Sequence, residues 1–271
     1  MNLFQAFILG LVQGATEYIP VSSSAHLVIV PWLLGWPDPS FEFEVLVQWG
    51  TLVGVFVFFW PEIWAIVKGV LLGLRQGHPL ATFEAKLGWL IVLATIPAVV
   101  LGLLLKDFFE AAFAAPVFAG GLLILTALLL VVAERFGARS RELESLTWLD
   151  AVIVGCWQAA ALFPGISRSG ATISGAVLRG YSRPDAARFS FLMSIPALLG
   201  AGVMALNDLL ASGALVEQLP AITIGFAAAA VAGYLCIRWL LHYLQRHSLY
   251  VFAAYCAVFS LLTLLVALAR S

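Results

Sequence analysis

Two short polar stretches interrupt an otherwise apolar chain, and both contain residue types that can bind or cleave a phosphate group. The first, residues 13–26, carries a glutamine, a glutamate, three consecutive serines and a histidine. The second, residues 163–172, carries Arg168 between two serines. An ionisable residue in a segment apolar enough to enter a membrane usually has a function. We therefore expect the two stretches to form one buried phosphate site.

Gln13 and Glu17 are four residues apart, so on a helix they project from one face. The Glu17 carboxylate can then hold a divalent cation, with Gln13 as a neutral oxygen ligand, or act as a base. The alternative is a helix-packing carboxyl group that burial keeps protonated. We favour the functional role, because a glutamate without a partner in apolar surroundings is costly.

A run of three serines follows Pro20, which is expected to end the first helix. Ser22, Ser23 and Ser24 offer hydroxyl groups at a new helix start, where ordinary N-capping needs only one of them. His26 lies within one helical turn of Ser22 and Ser23, so a Ser–His nucleophile pair can form. A histidine with a purely structural role is the alternative.

The second stretch has the composition of an anion-binding helix start. Ser167 or Ser169 can cap a helix beginning near Ala171, and free N–H groups at such a start favour an anion. The planar guanidinium of Arg168 matches phosphate oxygens. Alternatively, this is a helix break whose Arg168 pairs with Glu17. An ion pair and a phosphate site are compatible, and we favour the phosphate site. Weaker candidates in the next apolar segment are Glu44 and Gln48.

The composition is that of a polytopic membrane protein. The 271 residues are 62% hydrophobic and only 11% charged. We expect a single integral membrane domain over residues 1–271, since no length remains for a second soluble domain. A net charge of −1 gives no support to nucleic acid as a partner. The three cysteines lack CxxC spacing and are expected to be small core residues.

Six apolar runs are long enough to cross a bilayer. They are expected at residues 42–60, 87–105, 112–133, 189–206, 219–237 and 249–269. Lys and Arg concentrate in alternate loops, at 61–86, 134–147 and 238–248, which places these loops in the cytoplasm. Positive and negative charges balance in the loop at 106–111, so its composition does not indicate on which side of the membrane it lies. Both termini then lie outside, and the absence of Lys and Arg before Lys68 argues against a cleaved signal peptide.

Residues 3–35 and 149–180 do not fit simple spans. Each contains proline, glycine, serine and an ionisable residue, and each must return to the side it entered if the loop charges are to stay consistent. We predict two helix–break–helix re-entrant hairpins, because irregular backbone at membrane depth needs protein or a wet cavity around it.

The two hairpins also match each other in sequence. Gly10 and Gln13 recur as Gly155 and Gln158, 145 residues later. Basic residues follow the second hairpin but not the first, so the equivalent segments face opposite sides. The predicted fold class is an all-α polytopic membrane protein with six transmembrane helices plus two re-entrant helix hairpins. An inverted-topology repeat is expected, over roughly 1–111 and 146–245, with its shared site near the midplane.

At these motifs the chain resembles the undecaprenyl-diphosphate phosphatase family, the bacitracin-resistance membrane phosphatases of bacteria. The family's first motif is Glu/Gln-xxx-Glu followed by Pro-Val-Ser-Ser-Thr/Ser-Gly-His. It matches Gln13, Glu17, Pro20, Val21, Ser22, Ser23, Ser24 and His26. The second motif, Pro-Gly-(Phe/Ile/Met)-Ser-Arg-Ser-Gly, is complete over residues 164–170. The departures are Gln13, which is Glu in many members, and Ala25, where Gly is usual.

The resemblance implies hydrolysis of undecaprenyl diphosphate to undecaprenyl phosphate and phosphate, which recycles the lipid carrier for cell-wall synthesis and confers bacitracin resistance. It places the enzyme in the bacterial plasma (inner) membrane, with its site opening to the periplasmic or outer face. It also implies a divalent cation, Mg²⁺ or Ca²⁺, with Glu17 and Gln13 as candidate ligands.

The resemblance further implies a role for each matched side chain. Glu17 is the essential carboxylate, Ser23 the nucleophile or water-orienting hydroxyl, and His26 the acid/base. Arg168 is the phosphate clamp. Residues expected to bind phosphate beside it are Ser22, Ser24, Ser167, Ser169, Gly170 and Thr172.

Transport is the competing function. A lipid-phosphate flippase or phosphate carrier would use the same inverted repeat, broken helices and arginine. A carrier needs only binding groups, so the paired glutamate and Ser-xx-His favour the enzyme. The expected partners are the polyprenyl diphosphate substrate and membrane lipid. The sequence leaves the oligomeric state open, and a homodimer is one arrangement compatible with it.

Overall fold

The computed structural model describes residues 1–105 and 116–270, and within these ranges the chain is helical with no strand. A 3₁₀ turn covers Leu143–Ser145. The described residues form ten α-helices, which are α1 (Leu3–Glu17), α2 (Ser23–Leu34), α3 (Phe41–Arg75), α4 (Phe83–Leu104), α5 (Pro116–Phe136), α6 (Trp148–Ala160), α7 (Arg168–Leu178), α8 (Arg183–Ala211), α9 (Leu215–Leu244) and α10 (Tyr250–Arg270). The all-α prediction is confirmed.

Six of these helices are long and apolar enough to cross a membrane: α3, α4, α5, α8, α9 and α10. Each overlaps one predicted span, so the chain is a multi-pass membrane protein. The 106–111 loop and the start of the predicted 112–133 span lie outside the described residues. Many large apolar side chains on the spanning helices are exposed, as expected of surfaces that face lipid.

The third helix extends well beyond its predicted end. The expected span stops at residue 60, yet α3 continues to Arg75. Pro61 lacks an N–H group and disrupts the helix, and Phe59 accordingly takes non-helical angles (φ −99°, ψ 15°). The helix resumes after this kink. Residues 61–75, predicted as part of a cytoplasmic loop, are therefore helical.

Two pairs of shorter helices, α1 with α2 and α6 with α7, are separated by breaks at residues 18–22 and 161–167. The Ser22 hydroxyl accepts from the Ala25 N–H, and the Ser167 hydroxyl accepts from the Gly170 N–H. The second cap starts α7 at Arg168, which corrects the predicted start near Ala171. Helix α7 is the central element, because all its residues from Ser169 to Val177 are buried.

A glycine lets each of α1 and α6 approach a spanning helix closely. A Cβ atom on Gly10 would lie 2.3 Å from the Gly225 carbonyl oxygen of α9, and one on Gly155 would lie 2.5 Å from the Ala94 carbonyl oxygen of α4. Such distances are far below van der Waals contact. These two glycines therefore set the depth at which the short helices pack.

A buried carboxylate joins the two ends of the second helix pair. Asp150, in the first turn of α6, accepts from Arg179 Nε at 2.6 Å, from Arg141 Nη2 at 2.9 Å and from the Tyr181 hydroxyl at 2.7 Å. Its side chain is fully buried. Since Arg179 caps the carboxyl end of α7, the cluster holds the start of α6 against the end of α7 and so fixes the break between them.

We expect Gly155→Ala to destabilise the protein by about 1–3 kcal/mol, because the added methyl group forces α6 away from α4. The thermal unfolding midpoint of purified protein in detergent measures this. Gly121→Ala is the matched control, since a Cβ there meets nothing within 4 Å. An equal midpoint for both variants would contradict the close packing of α6 on α4.

Candidate active site

The two helix breaks meet at an ion pair between residues 151 positions apart. Arg168, the first residue of α7, donates from Nη2 to Glu17 Oε1 at 2.5 Å. Glu17 is the last residue of α1, so the pair links the end of one short helix to the start of another. The exposed fractions of the two side chains are 4% for Glu17 and 14% for Arg168. Because both charges are largely removed from solvent, each requires the other.

The second oxygen of Glu17 completes a four-residue cluster. Glu17 Oε2 accepts from Gln13 Nε2 at 2.7 Å and from the Ser23 hydroxyl at 2.6 Å. The structure thus brings together Gln13, Glu17, Ser23 and Arg168, as the sequence predicts. Three donors surround the carboxylate, so Glu17 is a paired acceptor within a polar cluster. A carboxyl group that merely packs between apolar helices would lack such partners.

The three serines have separate places at the start of α2. Ser22 caps the helix with φ +70°, a conformation uncommon for a residue other than glycine. Its hydroxyl lies 3.2 Å from that of Ser24. Capping by Ser22 leaves the Ser23 hydroxyl free to contact Glu17, and all three serines line the cavity described below.

His26 does not pair with a serine hydroxyl in this structure, contrary to the expected Ser–His pair. Its Nδ1 donates to the backbone carbonyl of Ser22 at 2.7 Å, and its Nε2 lies 2.7 Å from the Tyr255 hydroxyl. The ring also stacks on Phe259 at 4.5 Å. The Ser22 carbonyl, four residues before His26, thus accepts from a ring nitrogen, in place of the expected serine hydroxyl. Both ring nitrogens of His26 therefore bond to groups outside the four-residue cluster, and its acid/base role stays a prediction.

The residues around Arg168 mostly support the second break. Ser167 lines the cavity, whereas Ser169 donates to the Ile19 carbonyl at 3.3 Å. The Gly170 N–H is used by the Ser167 cap. Thr172 donates to the Arg168 carbonyl at 2.8 Å and is fully buried. Among these predicted phosphate-binding residues, Ser167 is the one that the described cavity exposes.

Thr126 of α5 was missed by the sequence reasoning. Its hydroxyl accepts from the Ser167 N–H and donates to the Gly165 carbonyl, both at 2.9 Å. Gly165 has φ +102°, which favours glycine, and the Ala119 carbonyl lies so close that no Cβ would fit. Thr126 thus holds the turn that presents Arg168. A threonine within an apolar span gives no signal of this role.

A cavity of about 400 Å³ adjoins the cluster. Its polar end is lined by Glu17, Ser22, Ser23, Ser24, Gln48, Gln158, Ser167 and Arg168. Its other end is lined mostly by apolar residues of α4 and α8, which are Ala98, Val99, Gly102, Leu103, Ala197, Leu198, Gly200, Ala201, Met204 and Ala205. Asp208 of α8 also lines the cavity. Val99, Leu103 and Ala201 are exposed on the outside of the helix bundle. The cavity therefore extends from buried charge to the apolar surface between α4 and α8.

Several buried polar atoms at this cavity have no hydrogen-bond partner within the described ranges. They are Arg168 Nη1 and both amide atoms of Gln158. Gln13 Oε1 is also unpaired; Gln13 does not line the cavity, but its amide nitrogen bonds to Glu17, which does. Buried polar groups are nearly always paired, so unpaired ones beside a cavity point to a ligand. Arg168 Nη1 offers a charged donor to an anion, and Gln13 Oε1 offers an acceptor to a cation or a donor group.

The donor set fits a hard divalent cation that is shared with a substrate. Glu17 supplies one carboxylate, Gln13 an unpaired amide oxygen and Ser23 a hydroxyl. Mg²⁺ is commonly held by one or two carboxylates together with substrate phosphates. The described part of the chain has no cluster of three His, Cys, Asp or Glu side chains. Substrate oxygens would therefore have to complete the coordination.

Comparison with known proteins gives a consistent relationship. A family model described as Bacitracin resistance protein BacA matches residues 6–262. Proteins named Undecaprenyl-diphosphatase are similar over nearly the whole chain. That of Chlorobium limicola is 45% identical over 265 residues, covering 94% of this chain and 93% of its own. That of Thermomicrobium roseum is 42% identical over 273 residues, covering 98% of both chains. With a match this extensive, the chain belongs to the BacA family of bacitracin resistance proteins.

Proposed function

We propose that this protein is a membrane phosphatase that hydrolyses undecaprenyl diphosphate to undecaprenyl phosphate and inorganic phosphate. The relatives named Undecaprenyl-diphosphatase support this activity. The observation that carries the proposal is the cluster of Glu17, Ser23 and Arg168 at the end of a cavity with an apolar far side. The reaction returns the lipid carrier to cell-wall synthesis, and bacitracin resistance fits the family name.

The cluster supplies the groups that phosphoryl transfer requires. Arg168 binds the terminal phosphate through its unpaired Nη1 and offsets the charge that develops in the transition state. Attack on the terminal phosphorus forms a P–O bond either to the oxygen of water, which gives inorganic phosphate directly, or to Ser23 Oγ, in which case water then attacks the phosphoserine, breaks the Ser23 Oγ–P bond and releases inorganic phosphate. The bond from that phosphorus to the bridging oxygen breaks, and its electrons leave with the lipid monophosphate. Glu17 Oε2, 2.6 Å from Ser23 Oγ, accepts the proton of the nucleophile.

Gln13, Glu17 and Ser23 are the residues that would hold the divalent cation with the substrate. Such a cation would neutralise phosphate charge and polarise phosphoryl oxygens. The unpaired Oε1 of Gln13 supports this assignment, because a carbonyl oxygen is a suitable ligand for Mg²⁺ or Ca²⁺.

The apolar end of the cavity suits the prenyl chain. Val99, Leu103 and Ala201 border an opening between α4 and α8 that faces the lipid side of the bundle. The chain enters there sideways and stays largely in the bilayer, while the diphosphate reaches the polar end. A site that accepts a charged headgroup beside an apolar entrance is the arrangement that a lipid phosphatase requires.

The two short-helix pairs are re-entrant hairpins of an inverted-topology repeat, with the site opening to the outer face. The hydroxyls of Ser22 and Ser24 are 3.2 Å apart, and so are those of Ser167 and Ser169, 145 residues later. Helices α1 and α6 are equivalent in the repeat. Helix α1 packs on α9 at Gly10, and α6 packs on α4 at the equivalent Gly155. The Asp150 cluster, rich in arginine, lies at the base of the second hairpin, as a cytoplasmic anchor would.

Lipid-phosphate transport is the second candidate, and a second cavity of about 390 Å³ favours it. Phe59, Pro61, Glu62 and Arg188 are among its lining residues. Phe191 lies between the two regions, with ring centroids 4.9 Å from Tyr18 and 6.4 Å from Phe59. Phosphate release by purified protein distinguishes the candidates, because a flippase leaves the diphosphate intact.

Glu17→Gln and Arg168→Lys should each lower the rate of phosphate release from undecaprenyl diphosphate by about 10²–10³-fold. The first variant removes the preorganised carboxylate charge, and the second removes the planar guanidinium that matches the reacting phosphate. Initial rates in detergent micelles measure the effect. The exposed residues Glu144 and Arg75 supply controls of matched chemistry, Glu144→Gln and Arg75→Lys, which should keep wild-type rates. Wild-type activity in either site variant would refute the assigned roles.

Removal of divalent cations with EDTA should abolish phosphate release, and added Mg²⁺ or Ca²⁺ should restore it. Gln13→Glu adds a carboxylate at the proposed cation, so half-maximal activation should require several-fold less Mg²⁺. Gln13→Leu removes the amide oxygen, so half-maximal activation of this variant should require more Mg²⁺ than wild type. A titration of activity against Mg²⁺ for the three proteins measures this. Identical titration curves would exclude Gln13 as a ligand.

A further inference from the structure

Gln158 is a buried amide with nothing to bond to inside the described protein. It lies in the last turn of α6, is 2% exposed, and has no hydrogen-bond partner for either Oε1 or Nε2. It nevertheless lines the same cavity as Glu17 and Arg168. Burying a polar group without a partner is unfavourable. A side chain of this kind beside a cavity is therefore expected to bond to what the cavity holds.

Gln158 is the polar member of an otherwise apolar wall. Helices α4 and α6 touch where Gly155 meets Ala94. About one turn further along each helix, Ala98 and Gln158 line the cavity. The other residues that line this wall are Val99, Gly102 and Leu103 of α4, and Ala161 and Leu162, which follow the end of α6. Gln158 thus stands where the polar end of the cavity gives way to the surface that faces the prenyl chain.

The internal repeat accounts for the missing partner. Gln158 corresponds to Gln13 with a shift of 145 residues, and the same shift relates Glu17 to Leu162. In the first hairpin the glutamine amide donates to Glu17. In the second hairpin a leucine takes the place of the carboxylate, so the amide of Gln158 stays free and Leu162 extends the apolar wall.

We propose that Gln158 binds the lipid-side phosphate of the polyprenyl diphosphate, with Nε2 donating to a non-bridging oxygen. The inference rests on the proposed phosphatase function, which places the terminal phosphate at Ser23 and Arg168. The second phosphate must then lie between that cluster and the prenyl chain, beside the boundary that Gln158 marks. Because this phosphate stays on the lipid after cleavage, Gln158 contacts both the substrate and the lipid product.

This contact defines how deeply the headgroup enters and which headgroups fit. A diphosphate reaches Arg168 with one phosphate and Gln158 with the other, whereas inorganic phosphate engages one position alone. A neutral amide donates a hydrogen bond without adding a positive charge that would retain the anionic product. Gln158 is therefore a specificity-determining residue for a headgroup of two phosphates attached to an apolar chain.

The test compares wild type with Gln158→Met, which keeps the side-chain length and removes both polar atoms. The KM for undecaprenyl diphosphate should rise about tenfold, with kcat changed less than threefold. Inhibition by undecaprenyl phosphate should weaken by a similar factor, and inhibition by inorganic phosphate should not change. The unfolding midpoint should stay equal or rise, because no hydrogen bond is lost. Gln158→Glu, which places a negative charge beside the phosphate, should raise KM further.

Ser174→Ala is the matched control. Ser174 is also buried with an unpaired hydroxyl, but it does not line the described cavity, so this variant should keep wild-type kinetics. An unchanged KM in Gln158→Met would overturn the proposal. Equal weakening of inhibition by inorganic phosphate and by undecaprenyl phosphate would overturn the lipid-side assignment. A lowered unfolding midpoint accompanying the lost activity would indicate a structural role instead.

Failure of the proposed function gives a different result. If wild type releases no phosphate, the shift of its unfolding midpoint by undecaprenyl phosphate still reports binding of the lipid. A smaller shift in Gln158→Met, with the wild-type shift kept in Ser174→Ala, would support the contact in a protein that binds but does not hydrolyse. An equal shift in all three proteins would overturn it.

Discussion

The ion pair between Glu17 and Arg168 is the interaction on which the rest of the structure depends. Neither charge can stay in an apolar bundle alone, and each lies on a helix end beside a different break. Their attraction therefore requires the end of α1 and the start of α7 to meet. Once they meet, Gln13 and Ser23 fall within hydrogen-bond distance of the same carboxylate. One electrostatic requirement thereby assembles the candidate site from two distant segments.

Keeping two helix breaks in a membrane protein imposes a second requirement, since freed backbone groups need partners. Serine hydroxyls cap both new helices, and Thr126 bonds to two backbone groups within the second break. Asp150 then fixes the far ends of that helix pair. These contacts hold Arg168 in place without using its Nη1, which stays available for an anion. The atoms that stabilise the second break are therefore different from the Arg168 Nη1 atom that can bind a ligand.

The sequence predicts the elements better than it predicts the contacts between them. Long apolar runs, prolines and serine caps are local signals, so the six spans and the positions of both breaks are recovered. Helix α3 passes Pro61 because the chain tolerates a kink at Phe59, which no local pattern reveals. The motif residues Gln13, Glu17, Ser23 and Arg168 meet as expected. His26 faces Tyr255 and the Ser22 carbonyl instead, since backbone direction at a cap is not encoded in spacing. Gln158 was visible as a repeat match, but its unpaired state depends on tertiary packing.

The most direct measurement is a double-mutant cycle on phosphate release from undecaprenyl diphosphate with Glu17→Gln and Arg168→Lys, alone and combined. Residues that act as one unit have strongly non-additive effects. Wild type should release phosphate, and the double variant should lose no more activity than the more impaired single variant. Losses that multiply would show that the two residues act independently, and an absence of release by folded wild-type protein would contradict the phosphatase account itself.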